Sequence, residues 1–215
     1  LVFANVLGNH AVIAVLVSTA ISFFTDRLQR GMVSRAAEFL GADMVVSSRS
    51  PLPEAFLEQA LSRGLSHVDI VEFNSVMTSD VEMQLSSVKA VGAGYPLKGQ
   101  VRIADRMFGA ERVAGAVPPP GEVWIEPGLK AMTISAMLTY EPDRAGDFYS
   151  LTPRVLMNLA DLEETGVVQP GSRVRYRLLL SGPESALRGY ADWLRPQLEP
   201  EQRLTTVADD NQQIG

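Results

Sequence analysis

The chain has 215 residues, of which 46% are apolar, a formal net charge of −6 and no cysteine. An acidic balance without a lysine-rich stripe argues against a nucleic-acid partner, and the lack of cysteine removes disulfides and thiolate chemistry. With only His10 and His67 as histidines, no metal-ligand spacing exists, and no cofactor is expected.

The first segment, Leu1 to Phe24, is almost free of charge. About 20 apolar residues rising about 1.5 Å each cross a ~30 Å hydrocarbon layer, so residues 1–24 predict a transmembrane helix. Asn5, Asn9 and His10 interrupt the run, and intramembrane polar groups usually face other helices, which suits a helix packed in a bundle. Two alternatives stand beside it: a single anchor that tolerates a few amides, and a cleaved signal peptide ending near Ser18-Thr19-Ala20, although no basic segment precedes it. The missing initiator Met and the abrupt end at Gly215 suggest a stretch of a longer protein.

Beyond the apolar run, Leu28, Met32, Ala36, Phe39 and Leu40 recur at helical spacing, and Gly41 marks a stop. Residues 25–41 therefore predict a stalk, and a single helix from Leu1 to Leu40 would approach ~60 Å in length. Phe23 and Phe24 at the interface, with Asp26 and Arg27 in water, predict a hinge collar where the helix leaves the lipid; simple interfacial anchoring by the same four residues is the plainer reading. Arg27, Arg30 and Arg35 alone would place this end in the cytoplasm, but a long following domain translocates regardless of nearby charge, so the side stays open.

Residues 42–215 read as a mixed α/β domain, with strands dominating the middle. Asp43 to Ser48 predicts a buried strand, and Pro53 to Arg63 a helix opened by proline and closed by Gly64. Val68 to Thr78 and Met83 to Val91 predict a hairpin around Ser79-Asp80. Val101 to Ile103, Glu122 to Glu126, Thr133 to Thr139 and Arg173 to Leu180 predict further strands, and Pro183 to Leu198 a helix. Arg173, Arg175 and Arg177 alternate along the last strand, which reads either as an anion or lipid-headgroup site or as the wet face of a sheet.

Catalytic patterns are missing. No Gly-x-Ser-x-Gly elbow accompanies the isolated His67, and no Gly-x-x-x-x-Gly-Lys loop is present. The pairs Asp143 with Asp147 and Glu163 with Glu164 read as exposed loop and helix-end carboxylates rather than an acid pair. The sequence reads as a non-enzyme.

Several longer segments carry a resemblance. Ser22-Phe23-Phe24-Thr25-Asp26-Arg27, Leu40-Gly41-Ala42-Asp43 with Val46-Ser47-Ser48, and Ser87-Val88-Lys89-Ala90-Val91 followed by Gly94-Tyr95-Pro96-Leu97 resemble the YbbP-type permeases. So do Tyr140-Glu141-Pro142-Asp143-Arg144 through Leu151 to Asp161, and Pro170-Gly171-Ser172-Arg173-Val174-Arg175-Tyr176. The resemblance extends over nearly the whole chain and reaches the FtsX, MacB and LolC permeases of ABC transporters.

It implies an α+β protein of the bacterial inner membrane: a first transmembrane helix continuing into a stalk, then a two-lobed periplasmic domain, with a second lobe over about 68–139. It further implies a permease homodimer of the mechanotransmission type, driven by a YbbA-like cytoplasmic ATPase and handling hydrophobic, lipid-like compounds from membrane lipids beside a TesA-like periplasmic thioesterase or lysophospholipase. The family places a turn segment rich in Gly and Asp between the counterpart of Pro127 to Ala131 and the strand near Thr133, whereas here Ala131 meets Met132 directly. Two rival readings remain: a single-pass or secreted periplasmic binding module acting without an ATPase, and an anchored lipid hydrolase, which would need His67 in a catalytic constellation.

Overall fold

The computed structural model describes residues 2–78, 83–126, 134–147, 152–169 and 171–207, with backbone alone for residues 2–15, 29–30, 32–33, 78, 134 and 145–147. The predicted turn at Ser79-Asp80, the junction from Lys130 to Thr133 and the side chains of Asn5, Asn9 and His10 lie outside the described residues. The chain divides into two units, residues 1–36 and 37–215.

Helix α1 runs from Val2 to Leu40, as the uninterrupted helical spacing predicts. Among the described residues, no helix is long and apolar enough to cross a membrane, and the side chains of residues 2–15 fall outside that description. From Leu16 to Leu28 the helix keeps large apolar groups in the open: Leu16, Val17, Ile21, Phe23, Phe24 and Leu28 are all more than half exposed. Thr25 returns its hydroxyl to the Ile21 carbonyl at 2.9 Å, and the Arg27 guanidinium lies 5.6 Å from the centre of the Phe23 ring.

The second unit begins with the last turn of α1. Gly41 adopts φ +71°, so its N–H donates back to the Glu38 carbonyl and the Ala42 N–H to that of Ala37, both at 3.1 Å. This double closure satisfies the orphan carbonyls of the helix end and suits glycine, which bears no Cβ to clash in the left-handed region. The chain then enters β1 (Met44–Ser48), α2 (Glu54–Ser62) and β2 (Ser66–Thr78). It resumes after a long excursion with β9 (Val174–Ser181), α3 (Glu184–Leu194) and β10 (Arg203–Thr206).

These four strands lie in the order β10-β1-β9-β2, all antiparallel, which is the arrangement of a split β-α-β unit doubled. The excursion adds β3 (Met83–Val91), β4 (Arg102–Ala104), β5 (Arg112–Val113), β6 (Val123–Ile125), β7 (Ile134–Tyr140) and β8 (Arg154–Asn158). The sheet continues through them as β3-β8-β6-β7-β4-β5, with β3–β8 and β6–β7 parallel.

Alternation along the strands sorts the core into layers. On one face Met44, Val46, Leu178 and Leu180 meet Phe56 and Ala60 of α2 and Tyr190, Ala191 and Leu194 of α3. Tyr190 is fully buried and spends its hydroxyl on the Phe56 carbonyl at 3.0 Å, so the two helices are joined as well as packed. On the opposite face Val45, Val68, Ile70 and Leu179 pack with Val91, Tyr95, Ile103, Trp124, Leu138 and Leu156. The helix predicted over Pro183 to Leu198 ends as α-helix at Leu194 and tightens into a 3₁₀ turn over Arg195–Gln197, where Pro196 cannot donate an i→i−4 bond.

Candidate functional site

The hairpin register dictates the site. Glu72 of β2 stands opposite Lys89 of β3 and also opposite Arg175 of β9, and Ile70 stands opposite Arg177. Ser87 of β3 stands opposite Arg154 of β8. Directly opposed residues share a face, and residues two apart along a strand return to it. Glu72, Lys89, Ser87, Arg154, Arg175 and Arg177 therefore gather on the face that carries Val68, Ile70 and Leu179, where apolar packing gives way to charge.

The segment after β7 closes over them with Glu141 and Asp143, and the segment after β3 supplies Tyr95. Lys89 is completely buried, and its ammonium donates to Glu141 Oε1 at 2.6 Å, to both Asp143 oxygens at 2.6 and 2.7 Å and to the Tyr95 oxygen at 3.0 Å. Tyr95 in turn donates to Asp143 Oδ1 at 2.5 Å, with Glu141 Oε1 3.0 Å away. Arg154 sets Nε 3.1 Å from Glu141 Oε2 and donates through Nη1 to Ser87 Oγ at 2.9 Å. Arg177 bridges Glu72 at 3.2 Å and Asp143 at 3.0 Å.

Three cations, Lys89, Arg154 and Arg177, thus face three carboxylates, Glu72, Glu141 and Asp143. Matched numbers matter here because an ion removed from water is stable only when paired and hydrogen-bonded. Burial pushes the Asp143 carboxyl up, but Lys89 and Arg177, with hydrogen bonds from Lys89 and Tyr95, outweigh it and hold Asp143 well below the usual carboxylate range. Glu72 is likewise pushed up by burial and held low overall by Arg177, Lys89 and Arg154. Burial, then the charges of Asp143 and Glu141, push the Tyr95 phenol well above its ordinary value, which keeps it a donor.

Glycines let this assembly approach the end of α1. A Cβ on Gly41 would sit 3.2 Å from Asp143 Cβ, and one on Gly99, at φ +80°, would meet both Glu38 Cγ and Pro142 Cβ at 2.8 Å. Lys98 also donates its backbone N–H to the Gly41 carbonyl at 3.0 Å. Gly41, which closes α1, thus lies close against Asp143, and Gly99 lies close to both Glu38 of the last turn and Pro142.

Among the described residues, no group of three or more His, Asp or Glu side chains is arranged to hold a metal ion. The carboxylates of the cluster are already engaged by cations, so the arrangement is suited to fixing one segment against another rather than to general acid or base work, which needs a group free to exchange its proton.

No family model matches the chain. A curated relative from Escherichia coli strain K12, the uncharacterized ABC transporter permease YbbP, is 33% identical over 219 aligned residues, which take in 94% of this chain and 26% of the relative. Over nearly its whole length the chain is similar to this YbbP permease. It spans about a quarter of that relative's length.

Within the chain the structure corrects two expectations. Asp143, expected on an exposed loop, is buried, because the 3₁₀ segment Pro142–Asp147 folds inward over Lys89. Arg177, read among the residues of a wet strand face, is largely buried between Glu72 and Asp143, whereas Arg175 on the same strand and Arg173 just before it are exposed. Glu163 and Glu164 are exposed, and the side chain of Asp147 lies outside the described residues. Lys89, Tyr95, Glu141 and Arg154 were not recognised as a site from sequence. The readable signal was Lys89 itself, a charge in the apolar strand Val88-Lys89-Ala90-Val91 facing Glu72 across a predicted hairpin.

Proposed function

We propose that the chain belongs to the permease subunit of a bacterial ABC transporter of the mechanotransmission type. In this reading residues 1–24 cross the inner membrane, residues 25–41 form the stalk, and residues 42–215 work in the periplasm. Phe23, Phe24, Asp26 and Arg27 form the collar at the membrane exit; the open apolar run from Leu16 to Leu28 supports a lipid or helix neighbour there. A homodimer of such subunits couples a YbbA-like ATPase to the extraction of hydrophobic, lipid-like compounds, with a TesA-like hydrolase as periplasmic partner.

The observation that carries the reading is the anchored end of α1. A helix transmits displacement only if its end is fixed to what it moves. Here the last turn is closed by Gly41, which lies close against Asp143, a member of the buried network of charges. Breaking such a network exposes or strands charges, so the contact resists slipping. The likeness to an ABC transporter permease supplies the ATPase by analogy.

The experiment is purification of the native full-length protein from membranes in mild detergent, with intact mass and co-purifying proteins read by mass spectrometry. A chain well above 23.4 kDa accompanied by an ATPase is the expected result. A lone chain of about this mass would overturn the permease reading in favour of a binding module without an ATPase.

A further inference from the structure

A cleft of about 640 Å³ opens beside the ion cluster, lined by Arg49, Arg173 and Arg175 with Asn74 and Ser87. Arg154 and Glu72 also border it, so four arginines surround a single carboxylate in a chain whose net charge is −6. Arg154 is occupied by Glu141 and Ser87. Arg175 has only a 3.8 Å approach to Glu72, a carboxylate that Arg177 and Lys89 already share. Arg49 and Arg173 are exposed and have no acidic partner among the described residues. The ends of β1 and β9 bring these cations together: Ser48 pairs with Tyr176, which sets Arg49 beside Arg175.

The same face of the β2–β3 hairpin continues outward from the cleft. Asn74 pairs with Ser87, and the next pair on that face is Val76 with Leu85, followed by Met83 opposite Thr78. Val76, Leu85 and Met83 are 53%, 51% and 76% exposed. Ordinary hairpins alternate polar residues toward water, yet this face changes within two pairs from arginine-rimmed polar floor to apolar surface. A guanidinium fork matches an oxyanion in two parallel hydrogen bonds, and exposed aliphatic side chains gain by covering a hydrocarbon chain.

We infer that this cleft binds an anionic amphiphile, its phosphate-type head on Arg49, Arg173 and Arg175 and its hydrocarbon part across Val76, Leu85 and Met83. The inference deepens the lipid-like cargo of the proposed function and does not depend on ATP coupling. Removing one arginine that grips an oxyanion in both forks weakens binding about tenfold or more.

Calorimetric titration of the full-length protein in nanodiscs with octyl phosphate, inorganic phosphate and octyl glucoside tests it, all below micelle-forming concentration. Octyl phosphate is expected to bind at least about tenfold more tightly than either other probe. Arg173→Gln with Arg175→Gln should weaken both phosphates by about tenfold or more, and Val76→Asn with Leu85→Asn should weaken octyl phosphate alone. Both double variants change exposed side chains, and a thermal melt matching the unaltered protein establishes that they fold. Equal affinity for inorganic and octyl phosphate would overturn the inference in favour of a site for free phosphate. Equal affinity for octyl glucoside, no binding of octyl phosphate, or binding indifferent to the arginines would also overturn it. An ATPase that co-purifies while octyl phosphate fails to bind would separate loss of this inference from loss of the permease reading.

Discussion

Replacing Lys89 by Met keeps an unbranched side chain of similar length in the pocket and removes the charge. The ammonium is completely buried and bonded to Glu141, Asp143 and Tyr95, all within 3.0 Å. Its loss leaves Arg154 and Arg177 to balance Glu72, Glu141 and Asp143, so one carboxylate of the three has no counter-charge. Breaking a buried ion pair from one side costs about 3–5 kcal/mol, and Lys89→Met should fall in that range. The variant has a second signature. A carboxylate stranded in low dielectric takes up a proton more readily, so stability lost at pH 7 should be partly restored near pH 5, where the unaltered protein gains nothing. Adding Asp143→Asn to Lys89→Met should recover part of the loss, because the amide removes the uncompensated charge and still accepts from Tyr95. Urea unfolding of the domain transition at pH 5 and pH 7, for both single variants and the double, measures all of this. A loss below about 1 kcal/mol for Lys89→Met, or strictly additive losses in the double, would refute the claim that the cluster is a coupled buried network.

Acid titration gives a related result. Asp143 and Glu72 are held below their unfolded values, so their contribution is full above the unfolded carboxylate range and fades as pH falls through the folded values; stability should decline steadily from about pH 5 downward. Tyr190 is pushed up to about 12, mainly by burial, so the unfolded chain loses this proton first and stability should fall between about pH 10 and 12. Tyr190→Phe should cost about 1 kcal/mol, the bond to the Phe56 carbonyl, by thermal unfolding. Gly99→Ala combines strain at φ +80° with two 2.8 Å collisions and should cost about 2–4 kcal/mol, whereas Gly64→Ala, at φ +70° with open space, should cost only about 1–2 kcal/mol. A Gly-Gly insertion after Leu28 should leave the domain's unfolding transition unchanged while uncoupling ATP hydrolysis from transport; transport at the unaltered rate would refute the stalk.

The parts legible in the sequence were those with a local cause. Gly41 and Gly64 end helices because each needs a positive φ, and Val68 to Thr78 with Met83 to Val91 alternate cleanly enough to specify a hairpin. Strand β8 was missed because Arg154-Val155-Leu156-Met157 is buried on both faces and shows no alternation, and β10 because one exposed and three half-exposed edge residues carry little pattern. The cluster was hidden for a different reason. Lys89 meets Asp143 from 54 residues away, and Arg177 meets Glu72 from 105, so their proximity is set by strand order rather than by spacing. The alternation of Arg173, Arg175 and Arg177 was visible, but which of the three turns from water depends on the segment after β7 that covers only Arg177.

The central claim is that the anchored end of α1 moves the domain. These 215 residues hold no cysteine, so Ser185→Cys, at an exposed position of α3, provides a single spin-label site within them. Pulsed electron-paramagnetic distance measurement between two such labels, in the proposed full-length dimer reconstituted with the proposed ATPase, should give distributions that differ between nucleotide-free and ATP-bound states. The Gly-Gly insertion after Leu28 should abolish that difference. Identical distributions in both nucleotide states of the uninserted protein would contradict the account.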